Sequence, residues 1–570
     1  MTSVAPFVIF FIGAALAAVT SGMLRAIIML AVPVVGAINL YLLPADTTHV
    51  VHLLGYNLEL MKIDKLSLLF GYLFHLATFL GIVFSLHVED RVQHVAGLLY
   101  AGSALGAVFA GDLLTLFLFW ELLAVTSVFL ILARRTARSY GAAMRYLLIQ
   151  VGSGVILLAG IAIHWVATGS TAITQIGLQD WNTGLAGIAS WLLLLAMGIK
   201  ACFPLLHNWL TDAYPEATPT GTVFLSSFTT KVAVYALART FAGTELLVYV
   251  GAGMAMFPIF FAVIENDLRR VLAYSLINQV GFMVVGVGIG TALAVNGAIS
   301  HAFNDVIFKG LLFMSMGAVL YRTGKINGSE LGGLYKTMPW TTGFCMVGAA
   351  SISAFPLFSG FVSKSMVMVA ALDEHYPYVW LALLFASAGV FHHAGIKIPY
   401  FAFFAHDSGL RPKEAPINML VAMGLAAAIC IFNGCYPWLL YSMLPYPVDY
   451  EPYTAAHVLT QTQLLFFSAL AFVWLQLKGL YPPELPGINI DAEWAYRKAL
   501  PTVGHWVRDT ATAMRTEWLA VRGAALRNAN DSIYRLHGPD GVFGRSWPTG
   551  RMAFWATVML GAYVLLSYYA

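Results

Sequence analysis

The sequence predicts an all-α polytopic membrane protein with about 16 transmembrane helices, and three observations carry that expectation. Hydrophobic residues fill 59% of 570 positions and charged residues only 10%, with a mean hydropathy of +0.76. A water-soluble domain is not so short of charge. Apolar runs of spanning length recur along the whole chain. Lysine and arginine collect in alternate loops between them.

The runs lie near 5–21, 25–43, 65–86, 93–110, 112–132, 140–166, 187–203, 219–242, 246–264, 270–288, 292–320, 343–371, 378–404, 416–436, 459–477 and 552–569. Each approaches the ~20 residues that a helix needs to cross the hydrocarbon core. The first, in MTSVAPFVIFFIGAALAAV, has no basic flank, so it is expected to be a membrane helix rather than a cleaved signal. Arg134, Arg135, Arg138 and Arg145 follow the fifth run, Arg269 and Arg270 the ninth, Arg322, Lys325 and Lys336 the eleventh, and Arg411 and Lys413 the thirteenth. Loops 167–186 and 437–458 have no lysine or arginine. The basic side is expected to be cytoplasmic, with both termini on the opposite side of a cell inner (plasma) membrane. Lys62 and Lys65 are exceptions.

Residues 486–550 differ. Apolar positions recur at helical spacing against Arg497, Lys498, Arg508, Arg515, Arg522 and Arg527, which suits an amphipathic helix at the membrane interface, with Pro501 as a break. A solvated linker to the last helix is the plainer alternative. Cys202, Cys345, Cys430 and Cys435 are scattered and form no CxxC pair, so no zinc or iron–sulfur site is expected. No phosphate-binding glycine loop is placed for a nucleotide. No cofactor and no nucleic-acid partner are expected; the basic residues speak of orientation.

The chemistry is expected where charge interrupts the apolar runs. Insertion scales put a charge at membrane depth at about 2.5–3.5 kcal/mol, so such residues mark function or tight pairing. Glu121 sits within LFLFWELLAV, Lys200 within MGIKACFPLL and Lys231 within FTTKVAVYAL. His301, Asp305 and Lys309 stack on one helical face by their four-residue spacing. Lys364 follows a second proline-broken run, FPLFSGFVSK, and His392, His393 and Lys397 follow in FHHAGIKIPY. His207 and Asp212 lie in the short segment after Pro204. A lone buried histidine is commonly a core residue, and Lys397 has snorkelling to the membrane edge as an alternative role. A lysine in water titrates near ~10.4. Burial lowers a lysine by up to ~3–5 units and a nearby carboxylate raises it again. Alternating acid, amine and imidazole groups can therefore pass protons, histidine bridging the steps. A proline frees backbone carbonyls, and broken helices at matching places in two halves point to a transport site.

These motifs resemble those of a known family, the antiporter-like subunits of respiratory NADH:quinone oxidoreductase (complex I), membrane-bound hydrogenases and Mrp-type cation/proton antiporters. The likeness covers roughly residues 60–430. LFLFWELLAV resembles the family's glutamate helix, GIKACFPLLHNWLTDAYPEATPTG its lysine–proline segment, and LRRVLAYSLINQVGF its KR-x-LAYSS-x-SQ-G signature. HAFNDVIFKGLLFMSMG and FPLFSGFVSK resemble its central and exit-side relay segments. FTTKVAVYALAR, GIKIPYFAFF and HDSGLRPKEAPINMLVAM look most like the D-type member of Mrp antiporters, while the tail resembles the distal pump component of complex I. Thr211, Tyr214, Asp305 and Ser365 depart from the family pattern.

The resemblance implies a proton relay through Glu121, Lys200, Lys231, His301, Lys309 and Lys364. It implies inverted five-helix repeats at 93–242 and 246–404, after N-terminal helices at 1–110 and before further helices at 405–480. The lateral segment at 486–550 and a terminal helix at 551–570 complete the expected organisation. Other membrane subunits, the lipid bilayer, protons and sodium are the expected partners. The alternatives are a pump subunit of a respiratory or hydrogenase complex, and an anchoring subunit with an inactive channel.

Overall fold

The computed structural model describes residues 4–44, 46–53, 55–487 and 489–569. It forms two compact units, residues 1–489 and 490–570. The first holds α1 Pro6–Val19, α2 Gly22–Leu42, the hairpin β1 Thr48–Leu53 and β2 Tyr56–Lys62, α3 Lys65–Ser85, α4 Arg91–Phe109, α5 Leu113–Leu132 and α6 Ala137–Thr168. There follow α7 Leu185–Ala201, α8 Asn208–Ala213, α9 Gly221–Ser227, α10 Thr229–Thr240, α11 Glu245–Ile264, α12 Leu268–Ile289 and α13 Ala292–Thr323. The unit closes with α14 Pro339–Ile352, α15 Ser359–Asp373, α16 Pro377–Val390, α17 Ile417–Cys435, α18 Trp438–Ser442 and α19 Ala455–Leu477. The second unit holds α20 Leu500–His537 and α21 Thr549–Tyr569. A π-helical turn at Ala495–Ala499 runs directly into α20, and Pro501 lies where the winding changes from π to α.

The chain is a multi-pass helical membrane protein. Thirteen helices among the described residues are long and apolar enough to span, and two shorter apolar ones, Pro6–Val19 and Leu185–Ala201, stand beside them. The expected count of about 16 is not fixed by length and composition, because proline divides some runs into pieces. The antiparallel hairpin at 48–62 is a departure from the all-α expectation. It is anchored where Asp112, the N-cap of α5, accepts from Thr115 N and Glu59 N.

Side-chain caps set the helix starts. Asp64, Asp90, Asp112, Thr136, Asp267 and Thr454 each accept a backbone N–H from the first turn that follows, worth about 1 kcal/mol apiece. The basic loops meet on one face. Arg138 pairs with Glu216 at 2.6 Å, Arg145 with Asp212 at 2.7 Å, and Lys336 with Asp407 at 2.8 Å. Arg269, at the start of α12, is fully buried and donates to the carbonyls of Tyr214, Pro215, Ala217 and Thr218 and to the Thr222 hydroxyl. That one guanidinium organises the PEATPTG loop.

The two proline-broken runs have the same backbone. Cys202-Phe203-Pro204-Leu205 separates α7 from α8, and Ala354-Phe355-Pro356-Leu357 separates α14 from α15. In each, the first and last residues have positive φ: +67° and +70°, against +58° and +74°. In each, the phenylalanine N–H reaches five residues back, to Gly198 O at 2.9 Å or Ala350 O at 3.0 Å. This is the Schellman closure of a helix end. Four of the seven non-glycine residues with positive φ among the described residues fall at these breaks. Strain of that kind concentrates at functional sites.

Candidate functional site

The first centre lies where α5, α6 and α7 meet. Lys200, in the last turn of α7, is fully buried. Its Nζ donates to Trp120 O at 2.6 Å and lies 4.6 Å from the Trp120 ring centroid. Glu121, the next residue on α5, is close enough for its charge and that of Lys200 to act on each other. Glu121 Oε1 is buried without a hydrogen-bond partner among the described residues. It lies against Gly154 of α6, where a methyl group would overlap it. Trp120 is fixed in turn by its indole N–H, which donates to Ser153 Oγ at 3.0 Å.

The second centre is larger and lies among α10, α12, α13 and α15. Lys231 Nζ is 2.6 Å from Asp305 Oδ2, both side chains 0% exposed. It also donates to Ser226 O at 3.2 Å, a carbonyl beside the interruption between α9 and α10. Tyr100 fills that interruption, its hydroxyl accepting from Thr229 N at 3.1 Å. Lys364 Nζ donates to Ile352 O at 3.0 Å and lies 5.0 Å from the Phe282 centroid. His301 bridges Ser363 Oγ and Gln279 Oε1, each at 3.1 Å. Lys309 Nζ is buried with no hydrogen-bond partner among the described residues. It lies within charge range of Asp305, Lys231 and Lys364. The buried Cys202 lies within charge range of Lys231.

The remaining expected residues separate. Asp212 is paired with Arg145 on the basic face, and His207 packs 4.6 Å from the Phe257 ring. His392 stands edge-on to Phe472 at 5.2 Å and to Tyr481 at 5.6 Å. His393 is fully buried. Lys397 is fully buried too and does not snorkel; its Nζ lies 2.8 Å from Glu484 Oε1.

Sequence reasoning missed Gly154, Ser153, Gln279, Ser363 and Glu484. The first four are uncharged, so no hydropathy pattern marks them. Glu484 lies in the polar loop after α19, where acids are ordinary. No group of three or more histidine, cysteine, aspartate or glutamate residues among the described residues is arranged to hold a metal ion.

A bundle of membrane helices with two matching breaks and buried amines beside each is the architecture of a transport subunit. Residues 110–391 match the transmembrane family described as NADH:quinone oxidoreductase/Mrp antiporter, and the chain belongs to that family. It is 31% identical over 315 residues to the Na(+)/H(+) antiporter D subunit of Alkalihalophilus pseudofirmus, a match that covers 53% of this chain and 64% of that protein, just under two thirds of its length. It is 31% identical over 358 residues to the NADH-quinone oxidoreductase N subunit of Desulforudis audaxviator, covering 58% of this chain and 70% of that one. Its fold is similar to a chain of the archaeal membrane-bound sulfane sulfur reductase, with TM-score 0.72 at 22% identity over 98% of this chain and 99% of that one.

Proposed function

We propose that this chain is the proton-translocating subunit of a multisubunit Mrp-type monovalent cation/proton antiporter of the cell inner membrane. Protons pass along Glu121, Lys200, Lys231, His301, Lys309 and Lys364. The observation that carries this reading is the buried succession itself. Glu121 feels Lys200, Lys231 is held by Asp305, and His301 lies in the fields of Lys364, Lys231 and Lys309. Charges shielded from water interact more strongly than exposed ones, so a proton gained at one group alters the next. Glu121 acts as the switch on Lys200, and Asp305 as the counter-ion of Lys231. His301 is placed to hand protons between the lysines of α13 and α15. Asp212 and His207 line the approach from the basic face, while His392, His393 and Lys397 lie beyond Lys309.

The test uses everted vesicles carrying the complete complex, with proton movement followed on adding sodium in the absence of an electron donor. Sodium-driven movement that Lys200→Ala abolishes, with assembly intact, is the expected result. Normal transport by Lys200→Ala sinks the relay. The likeness to the oxidoreductase N subunit favours a second reading: a pump subunit of a redox-driven complex. Movement that requires an electron donor and ignores sodium would select it. Tolerance of both Glu121→Gln and Lys364→Ala would select an inactive anchoring subunit instead.

A further inference from the structure

Beyond Lys309, the relay leaves His393, Lys397 and Glu484 unused. The stretch Phe391–Lys397 is wound as a π-helix, a geometry frequent at functional sites. It carries His393 and Lys397. His393 is fully buried, and neither ring nitrogen makes a well-formed hydrogen bond among the described residues, the Gly389 carbonyl one turn back being the acceptor within its reach. It lies within charge range of Lys309, Lys397 and His392. A buried imidazole so poorly satisfied contributes nothing to packing that a leucine would not, and its desolvation is unfavourable.

Lys397 is oversupplied with acceptors. Its Nζ donates to Ala262 O at 3.2 Å, Val263 O at 2.6 Å and Glu265 O at 2.6 Å, and lies 2.8 Å from Glu484 Oε1. An ammonium has three N–H groups, so the Glu484 carboxylate is the partner that can be released while the ammonium stays satisfied. Glu484 follows Pro482 and Pro483 and precedes Pro486, which limits the loop's freedom. Burial pushes its carboxyl above the usual range, and the Lys397 ammonium opposes that shift. Glu265, at the end of α11 beside the basic loops, is tied to the same loop through Asn489 at 3.1 Å.

We propose that Glu484, Lys397 and His393 form a second proton port, opening at the basic face and joining the central cluster at Lys309. It rests on the proton-translocation reading above. A proton from the aqueous phase neutralises the Glu484 carboxylate and releases the ion pair. Lys397 gives its proton to neutral His393, becoming an amine, and takes the proton held by Glu484. Protonated His393 then passes its proton through internal water to the Lys309 amine. One proton enters, one reaches Lys309, and the starting charges of the port are restored.

In vesicles carrying the complete complex, proton movement is compared for Glu484→Gln, Glu484→Asp and Lys200→Ala. Glutamine keeps an acceptor for Lys397 but cannot take up a proton. Glu484→Gln is expected to slow transport about tenfold or more with normal assembly, and Glu484→Asp to recover most of the rate. A parental rate from Glu484→Gln beside an inactive Lys200→Ala overturns the port and leaves the relay standing. A parental rate from Lys200→Ala overturns both. Should Glu484→Gln fail to assemble, His393→Leu decides. Slow transport by the assembled variant supports the port. A parental rate overturns it and leaves Glu484 a structural latch.

Discussion

The two helix breaks share one backbone and use it differently. At the first, the lysine precedes the break: Lys200 ends α7 and reaches across to Trp120 O on α5. At the second, the corresponding position is Ile352, and Lys364 comes a turn after the break and reaches back to Ile352 O. The ammonium of Lys364 thus comes to the carbonyl of the residue that matches Lys200. The break therefore supplies the site, and the lysine can enter it from either side. The electrostatics differ as well. Lys200 lies within charge range of Glu121, whose Oε1 has no hydrogen-bond partner among the described residues. Lys231 is locked to Asp305 in a direct contact. On the proposed relay, the first centre switches and the second holds charge.

The sharpest way to break that contrast is to remove one member of the locked pair. Lys231→Ala leaves the Asp305 carboxylate buried without its counter-ion, and a loss of about 3–5 kcal/mol in stability is expected. Lys231→Met with Asp305→Leu should restore stability without restoring transport. Thermal unfolding of the purified complex reads the first effect, and vesicle assays the second. If Lys200→Ala destabilises as much as Lys231→Ala, the distinction between the centres fails.

A smaller effect tests the freedom of Glu121. Gly154→Ala places a methyl group on Glu121 Oε1 and is expected to cost about 1–3 kcal/mol by overpacking, with transport falling along with it. Adding Glu121→Ala should recover the stability and leave transport lost. The smallest effect tests whether the breaks are equal. Leu205 and Leu357 are exposed and sit at positive φ, where a side chain costs roughly 1–2 kcal/mol. Glycine at either should stabilise by about 1 kcal/mol or less, after its own entropy cost. Unequal gains would show that the two breaks carry different strain.

Much of this was legible in the sequence because charge is conspicuous against an apolar background. Glu121, Lys200, Lys231, Lys309 and Lys364 could be named from hydropathy alone, and the structure buries four of them fully and leaves Glu121 part-buried. The equivalence of the breaks was visible only in part. Both contain Phe-Pro-Leu, but their positive φ angles fall on cysteine, alanine and leucine, where no glycine announces them. The pairing of Lys231 with Asp305 joins residues far apart in sequence, which spacing along a single helix cannot reveal. The hairpin at 48–62 was missed because its short alternation lies between two long apolar runs that dominate any hydropathy window.

Arg269 has a consequence for how the machine can move. It starts α12, yet its guanidinium is spent on four carbonyls and a hydroxyl between Tyr214 and Thr222. A rocking of one helical repeat against the other, of the kind many carriers use, would have to tear that rivet from a dry socket at every cycle. If the chain moves protons as proposed, the bolted face favours a stationary frame in which side chains pivot and solvent rearranges.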